Sequence, residues 1–167
     1  HFAINYLKNP DVYRLGRKLC VIGAGNVAMD VARTAIRKGV REVYVMYRRG
    51  EEDMTASVHE IEYAKIEGVH FEFFKQPVEL EDKGVRYIAM QKQHHADGTD
   101  EVIQVSGSED LFECDSIIIA VSQSPQTNIV KNTQGIETNK YGLVVTDDCG
   151  RTTREGVFAS GDVVTGA

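Results

Sequence analysis

The sequence has only three prolines and only three cysteines, and each scarcity closes a class of reading. Cys20, Cys114 and Cys149 are odd in number, far apart in the chain and free of any CxxC pair, so neither a disulfide framework nor a zinc site is supported and a reduced compartment fits best. Pro10, Pro77 and Pro125 are read as falling between periodic segments, punctuating elements rather than interrupting them. No apolar run approaches the roughly 20 residues needed to span a bilayer, and the N-terminus lacks the basic, apolar and small-residue regions of a signal peptide. The expectation is a cytoplasmic chain without a membrane partner. Positive charge is also in deficit, with 19 Lys and Arg against 25 Asp and Glu, a net charge of -6 and a pI near 5.4. Nucleic acid and anionic membranes are therefore poor partners, and any anion this chain binds must be held locally.

What is present is enough for one ordinary core: 167 residues, 42% of them hydrophobic. The chain begins at His1 rather than Met and stops at Ala167, directly after Gly161-Asp162-Val163-Val164-Thr165-Gly166, so both ends read as cuts from a larger protein. Phe2 to Leu7 is a short apolar patch, a helical turn or a connector, followed by the turn-like Asn9-Pro10-Asp11. Lys18 to Ile22 is a continuous apolar run of the kind a strand buried on both faces shows, and it enters Gly23-Ala24-Gly25. Val27, Ala28, Val31, Ala32, Ala35 and Ile36 then recur at helical spacing, with Arg37, Lys38 and Gly39 as stop signals. Val43 to Tyr47 is a second strand, so residues 18 to 47 form a βαβ unit with a right-handed crossover.

Val58 to Glu67, ended by Gly68, reads as a second helix whose acids form a solvated face, with an electron-partner docking surface as the alternative. Val69 to Phe74 is a third strand. From Pro77 to Val105 the pattern changes to short alternating segments (78–80, 85–91, 102–105) separated by turn residues, which signals an antiparallel meander. Ser116 to Val121 returns to a buried run that rejoins the parallel sheet. Leu143 to Thr146 and Gly156 to Ala159 are two further candidate strands. The expected class is α/β: a Rossmann-like doubly wound parallel sheet with an inserted antiparallel β-meander. Its mononucleotide-binding core spans 17–125, and 126–167 belong to another unit.

Gly23-Ala24-Gly25-Asn26-Val27-Ala28 is a GxGxxA sequence between a predicted strand and a predicted helix, the context the dinucleotide fingerprint requires. Gly23 permits the turn, Gly25 admits a pyrophosphate close to the backbone, and Ala28 lets the helix pack on the strand, while the helix N-terminus offers unpaired N–H donors. A turn that serves packing alone and a methyltransferase-like glycine loop are the alternatives. At the end of the second strand, where an NAD site places an acid for the ribose 2′-OH, stand Arg48 and Arg49, which suit a 2′-phosphate and hence NADPH over NADH. The competing reading is that the pair engages Glu51, Glu52 and Asp53 immediately after it. His94 and His95 are read as solvated turn residues rather than metal ligands, and Cys149 has no second cysteine beside it for dithiol chemistry.

Cys20 to Ala35, followed by Tyr47-Arg48-Arg49 and Met54-Thr55-Ala56, resembles the NADPH domain of the glutamate synthase small-subunit family, within the pyridine nucleotide-disulfide oxidoreductase superfamily; dihydropyrimidine dehydrogenase and the NADH-dependent ferredoxin:NADP oxidoreductases carry similar modules. Val157 to Asp162 resembles the second flavin motif, in which an Asp after Gly contacts FAD. The resemblance implies an NAD(P)-binding domain, 17–125, inserted into a split FAD domain whose stubs are residues 1–16 and 126–167. It further implies hydride exchange between NADPH and FAD, a flavin domain in the same parent chain, and an iron-sulfur or synthase partner subunit. It assigns nucleotide contacts to Gly23, Ala24, Gly25, Asn26, Val27, Arg48, Arg49, Ala120, Val121 and Ser122, and flavin contacts to Gly161 and Asp162, with no residue acting as a catalyst and no metal. Ser122 stands where the family has glycine, and Met54-Thr55-Ala56 replaces Met-Pro-Ala. A dinucleotide sensor or scaffold without redox turnover is the other function class.

Overall fold

The computed structural model describes residues 1–95, 98–121, 130 and 132–166, in two compact units, His1–Val121 and Ser122–Ala167. The first unit holds helix α1 (Ala3–Lys8), a 3-10 turn (Pro10–Val12), β1 (Lys18–Ile22), α2 (Asn26–Arg37), β2 (Glu42–Met46), a second 3-10 turn (Glu51–Asp53), α3 (Val58–Ile66) and β3 (His70–Glu72). There follow β4 (Lys75–Glu81), β5 (Gly84–His94), β6 (Asp100–Gln104), β7 (Asp110–Glu113) and β8 (Ser116–Ile119).

β3, β2, β1 and β8 form a parallel sheet in that order, with Leu19 paired to Val43 on one side and to Ser116 on the other. The expected α/β class is borne out. The continuous apolar run of β1 has a direct cause, because its alternate residues enter two separate cores. Leu19 and Val21 join Val43, Val45 and Ile118 beneath the helices, with Ala28, Val31, Ala32 and Ala35 of α2 and Ile61 and Ala64 of α3. Cys20 and Ile22 point the other way, with Met46, onto Val85 and Phe112 of the antiparallel sheet. Burying such aliphatic side chains stabilises by roughly 1.5–3 kcal/mol each.

Both long helices end alike. In α2, Gly39 takes φ 90° and the N–H groups of Gly39 and Val40 bond to Ile36 and Ala35 oxygens; in α3, Gly68 takes φ 92° and Gly68 and Val69 bond to Lys65 and Ala64. These are Schellman ends, and the glycines read from sequence as stops are the left-handed residues they require.

The structure corrects four expectations about elements. Pro77 lies inside β4, at a register shift between Pro77 and Glu79, where an edge strand with a bulge tolerates the missing N–H. β7 was not expected; it pairs along β5 beyond β6, giving the meander a fourth strand. The candidate strands at 143–146 and 156–159 make single bridges instead, Thr138 to Val144, Thr146 to Thr152 and Arg151 to Phe158. Asn139 and Asp147 curl that backbone by accepting N–H bonds from residues two and four ahead, Tyr141 and Leu143, and Cys149 and Arg151. Of the acids of α3 and its cap, Glu62 is solvated as expected, whereas Glu60 and Glu67 are not. Glu60 and Glu67 bind Arg33 of α2, the latter at 3.0 Å, and Glu67 also binds Arg37, because packing the two helices lays these carboxylates over the guanidinium groups.

Candidate functional site

Gly23 follows β1 with φ 128°, a conformation side chains rarely adopt, and an added Cβ would stand 2.3 Å from the Ala120 carbonyl oxygen. Its N–H donates to Met46 O at 3.2 Å, so this one residue draws together the C-terminal ends of β1, β2 and β8. Gly25 is required for another reason. Its φ of -93° suits any residue, but a Cβ would lie 3.3 Å from Thr55 Oγ1, so the segment 54–57 already crowds it. That segment is bonded to the turn: Ala56 N–H donates to Ala24 O at 3.0 Å and Ser57 N–H to Asn26 Oδ1 at 2.8 Å.

At the start of α2, Ala28 and Met29 N–H donate to Gly25 O, whereas the N–H groups of Ala24, Gly25, Asn26 and Val27 have no acceptor among the described residues. Four free donors at the positive end of a twelve-residue helix are chemically matched to a diphosphate. Ala28 is fully buried under that helix, in the packing place expected of it.

Arg48 and Arg49 leave the end of β2 exposed to solvent, and they line a cavity of about 400 Å³ together with Asp53, Met90, Lys92, Asp100, Glu101 and Val102. Neither guanidinium has an ion-pair partner among the described residues. The acids that follow are engaged elsewhere: Glu51 with Lys65 at 2.5 Å, and Glu52 with Lys92 at 3.3 Å. The backbone between the cavity's walls passes through Phe74, the one described residue other than glycine with positive φ, at 55°. Phe74 N–H donates to Arg49 O at 3.2 Å and its carbonyl accepts from Met90 N–H at 2.7 Å. A strained residue thus ties Arg49 to β5.

Electrostatics in the cavity centre on Lys92, which meets Asp100 at 3.1 Å as well as Glu52. Asp100 and Glu52 hold its ammonium above the usual lysine range. Lys92 and His94 hold the Asp100 carboxyl below its usual range, and Glu52's own backbone N–H, with Lys92, does the same for Glu52.

Of the remaining sequence-derived residues, Ala120 and Val121 lie beside Gly23, with Ala120 N–H donating to Ile22 O at 2.8 Å. Ser122 lies outside the described residues. Gly161, at φ 72°, and Asp162 open a short helix, α4 (Asp162–Thr165), in the second unit. His94 and His95 are both exposed, His94 at the end of β5 rather than in a turn; His94 Nδ1 meets Asp100, and His95 Nε2 meets Glu101 at 3.4 Å. The cysteines are free, yet Cys20 and Cys114, far apart in sequence, share a hydrogen bond. Lys92, Met90, Asp100 and Val102 were missed as site residues. Period-2 alternation in 90–92 and 100–102 puts them on one sheet face, but nothing local says that this face meets Arg48.

The family described as pyridine nucleotide-disulphide oxidoreductase matches residues 3–167. The NADPH-Fe(3+) oxidoreductase subunit beta of Geobacter sulfurreducens is 34% identical over 180 residues, covering 91% of this chain and 27% of that protein. The glutamate synthase [NADPH] small chain of Halomonas elongata is 36% identical over 161 residues, covering 91% and 34%. This chain therefore spans about a third or less of these relatives' length. Among solved structures, thioredoxin reductase from T. acidophilum superposes with a TM-score of 0.67 at 23% identity, over 92% of this chain and 46% of that one, a likeness of fold. The resemblance to the glutamate synthase small-subunit family is borne out.

Proposed function

The chain belongs to the pyridine nucleotide-disulphide oxidoreductase family, and from that premise we propose that it binds NADPH, in a protein whose flavin exchanges hydride with it. The observation that carries the nucleotide choice is that Arg48 and Arg49 have no ion-pair partner among the described residues, beside three acids, two of which are bound by other cations. Two free guanidinium groups at the end of β2 match the 2′-phosphate, and charge-assisted bonds to it contribute about 1.5–3 kcal/mol each. The names of the relatives, which carry NADPH, support the same reading.

In this arrangement the N–H groups of Ala24, Gly25, Asn26 and Val27 hold the diphosphate, Gly23 keeps the strand ends close, and Ala120 and Val121 border the nicotinamide half, where the family resemblance also assigns Ser122. Asn26 acts through its N–H groups, since its Oδ1 accepts from Ser57. Gly161 and Asp162 contact FAD in the parent protein. Hydride chemistry belongs to the bound nicotinamide and flavin; the residues of this chain bind and orient. Family membership does not favour a sensor without redox turnover. A flavin domain of the same parent and an iron-sulfur or synthase subunit are the proposed partners, and the cytoplasm the proposed location; among the described residues no helix is long and apolar enough to cross a membrane.

The test is amide and guanidinium NMR during NADPH titration. The amides of residues 24–27 and the Arg48 and Arg49 side chains are expected to shift together, saturably; shifts confined to other residues would refute the site.

A further inference from the structure

The cavity beside Arg48 and Arg49 has a charge problem that the nucleotide reading alone leaves open. Glu52, Asp53, Asp100 and Glu101 surround or line it, so its carboxylates outnumber the two arginines that a phosphate needs. A carboxylate within reach of an arginine pair competes with phosphate for the same fork of donors. Yet both guanidinium groups are without an ion-pair partner among the described residues.

The geometry identifies what holds the acids away. Met90, Lys92 and His94 alternate onto one face of β5, and Asp100 and Val102 lie on that face of β6, where His94 pairs with Asp100 and Lys92 with Val102. Lys92 Nζ extends from this face to Glu52 Oε1 at 3.3 Å and Asp100 Oδ2 at 3.1 Å, with little more than a quarter of its side chain exposed. Glu52 folds back to meet it: a Cβ on Gly50 would stand 2.4 Å from Glu52 Oε2, so the carboxylate lies over Gly50 rather than over the arginines. His94 adds a second partner for Asp100, and the Phe74 backbone bonds fix β5 relative to Arg49.

We infer that Lys92 is a positioning residue for phosphate recognition, binding Glu52 and Asp100 so that Arg48 and Arg49 stay open to the 2′-phosphate. This rests on the NADPH reading and assigns the meander a part in cofactor choice. Lys92 acts through Glu52 and Asp100, so neutralising both carboxylates makes Lys92 dispensable.

The test is calorimetric titration of the chain with NADPH and NADH at one ionic strength, for the parent sequence, Lys92→Gln, Glu52→Gln with Asp100→Asn, the three combined, and Arg48→Ala with Arg49→Ala. Thermal melts verify that each variant is folded. Lys92→Gln is expected to weaken NADPH binding about tenfold, roughly one unit of uncompensated charge near the rim, with NADH unchanged. Adding Glu52→Gln and Asp100→Asn is expected to restore NADPH binding to within about twofold, beyond the scatter of additive changes. Weakening without rescue would make Lys92 a direct phosphate contact and overturn the positioning role. No effect of Lys92→Gln, with NADPH preference still lost in the arginine variant, would overturn the inference and leave the nucleotide reading standing. An arginine variant that keeps its preference would remove both.

Discussion

Asn26 Oδ1 accepts a hydrogen bond from Ser57 N–H at 2.8 Å, joining the first residue of α2 to the cap of α3 across the glycine turn. Ser57 itself caps α3 by accepting from Glu60 N–H, so the Asn26 side chain ties the start of α2 to the residue whose hydroxyl caps α3. Asn26→Ala leaves the Ser57 N–H without this acceptor and is expected to cost about 1 kcal/mol of stability. Chemical denaturation checks it; an unchanged midpoint would show that water replaces the bond.

Gly23→Ala meets two obstacles at once, φ 128° and the Ala120 carbonyl at 2.3 Å from the new Cβ. The expected outcome is loss of roughly 3 kcal/mol or more, with loss of nucleotide binding. Gly39→Ala is the control, because its added Cβ meets nothing within 4 Å and only the φ of 90° opposes it. A smaller loss at Gly23 than at Gly39, read from melting temperatures, would refute the close-approach account.

The βαβ unit was legible because each of its signals is local. The alternation of Leu19 and Val21 with Cys20 and Ile22, the GxGxxA turn and the left-handed Gly39 all lie within one stretch of chain. What escaped depends on pairing between distant segments. Asp110–Glu113 is four residues long and becomes β7 only because β5 offers it an open edge. Leu143–Thr146 has strand composition, but Asx turns on both sides of it leave single bridges. Arg48 and Arg49 could be named from position alone, whereas their lack of an ion-pair partner among the described residues goes with Lys65 and Lys92 reaching Glu51 and Glu52 from elsewhere in the fold.

Asp115 Oδ2 accepts from Arg17 and Lys18 N–H at 2.7 and 2.8 Å, and these bonds hold its carboxyl below the usual range, Lys18 foremost. With the folded value depressed, the stabilisation is present above the unfolded carboxylate value of about 3.9 and is lost as pH falls through the folded one. Asp115→Asn is expected to lower stability at neutral pH and to flatten the acid limb of a stability–pH curve. An acid limb identical to that of the parent would contradict this.

The hydrogen bond between Cys20 and Cys114, with burial, pushes the Cys20 thiol up, and the same bond pulls the half-buried Cys114 thiol down. Alkylation followed by mass spectrometry is expected to label exposed Cys149 and then Cys114 in the folded chain, and Cys20 only on unfolding. Equal labelling of Cys20 and Cys149 would contradict the burial of β1.

The central claim is that Arg48 and Arg49 select the 2′-phosphate, and the direct measurement is calorimetric competition between 2′,5′-ADP and 5′-ADP for the NADPH site at fixed ionic strength. The account predicts that 2′,5′-ADP wins by roughly a hundredfold, about 2.8 kcal/mol, and that Arg48→Ala with Arg49→Ala removes the advantage. Equal competition by the two fragments in the parent chain would contradict it.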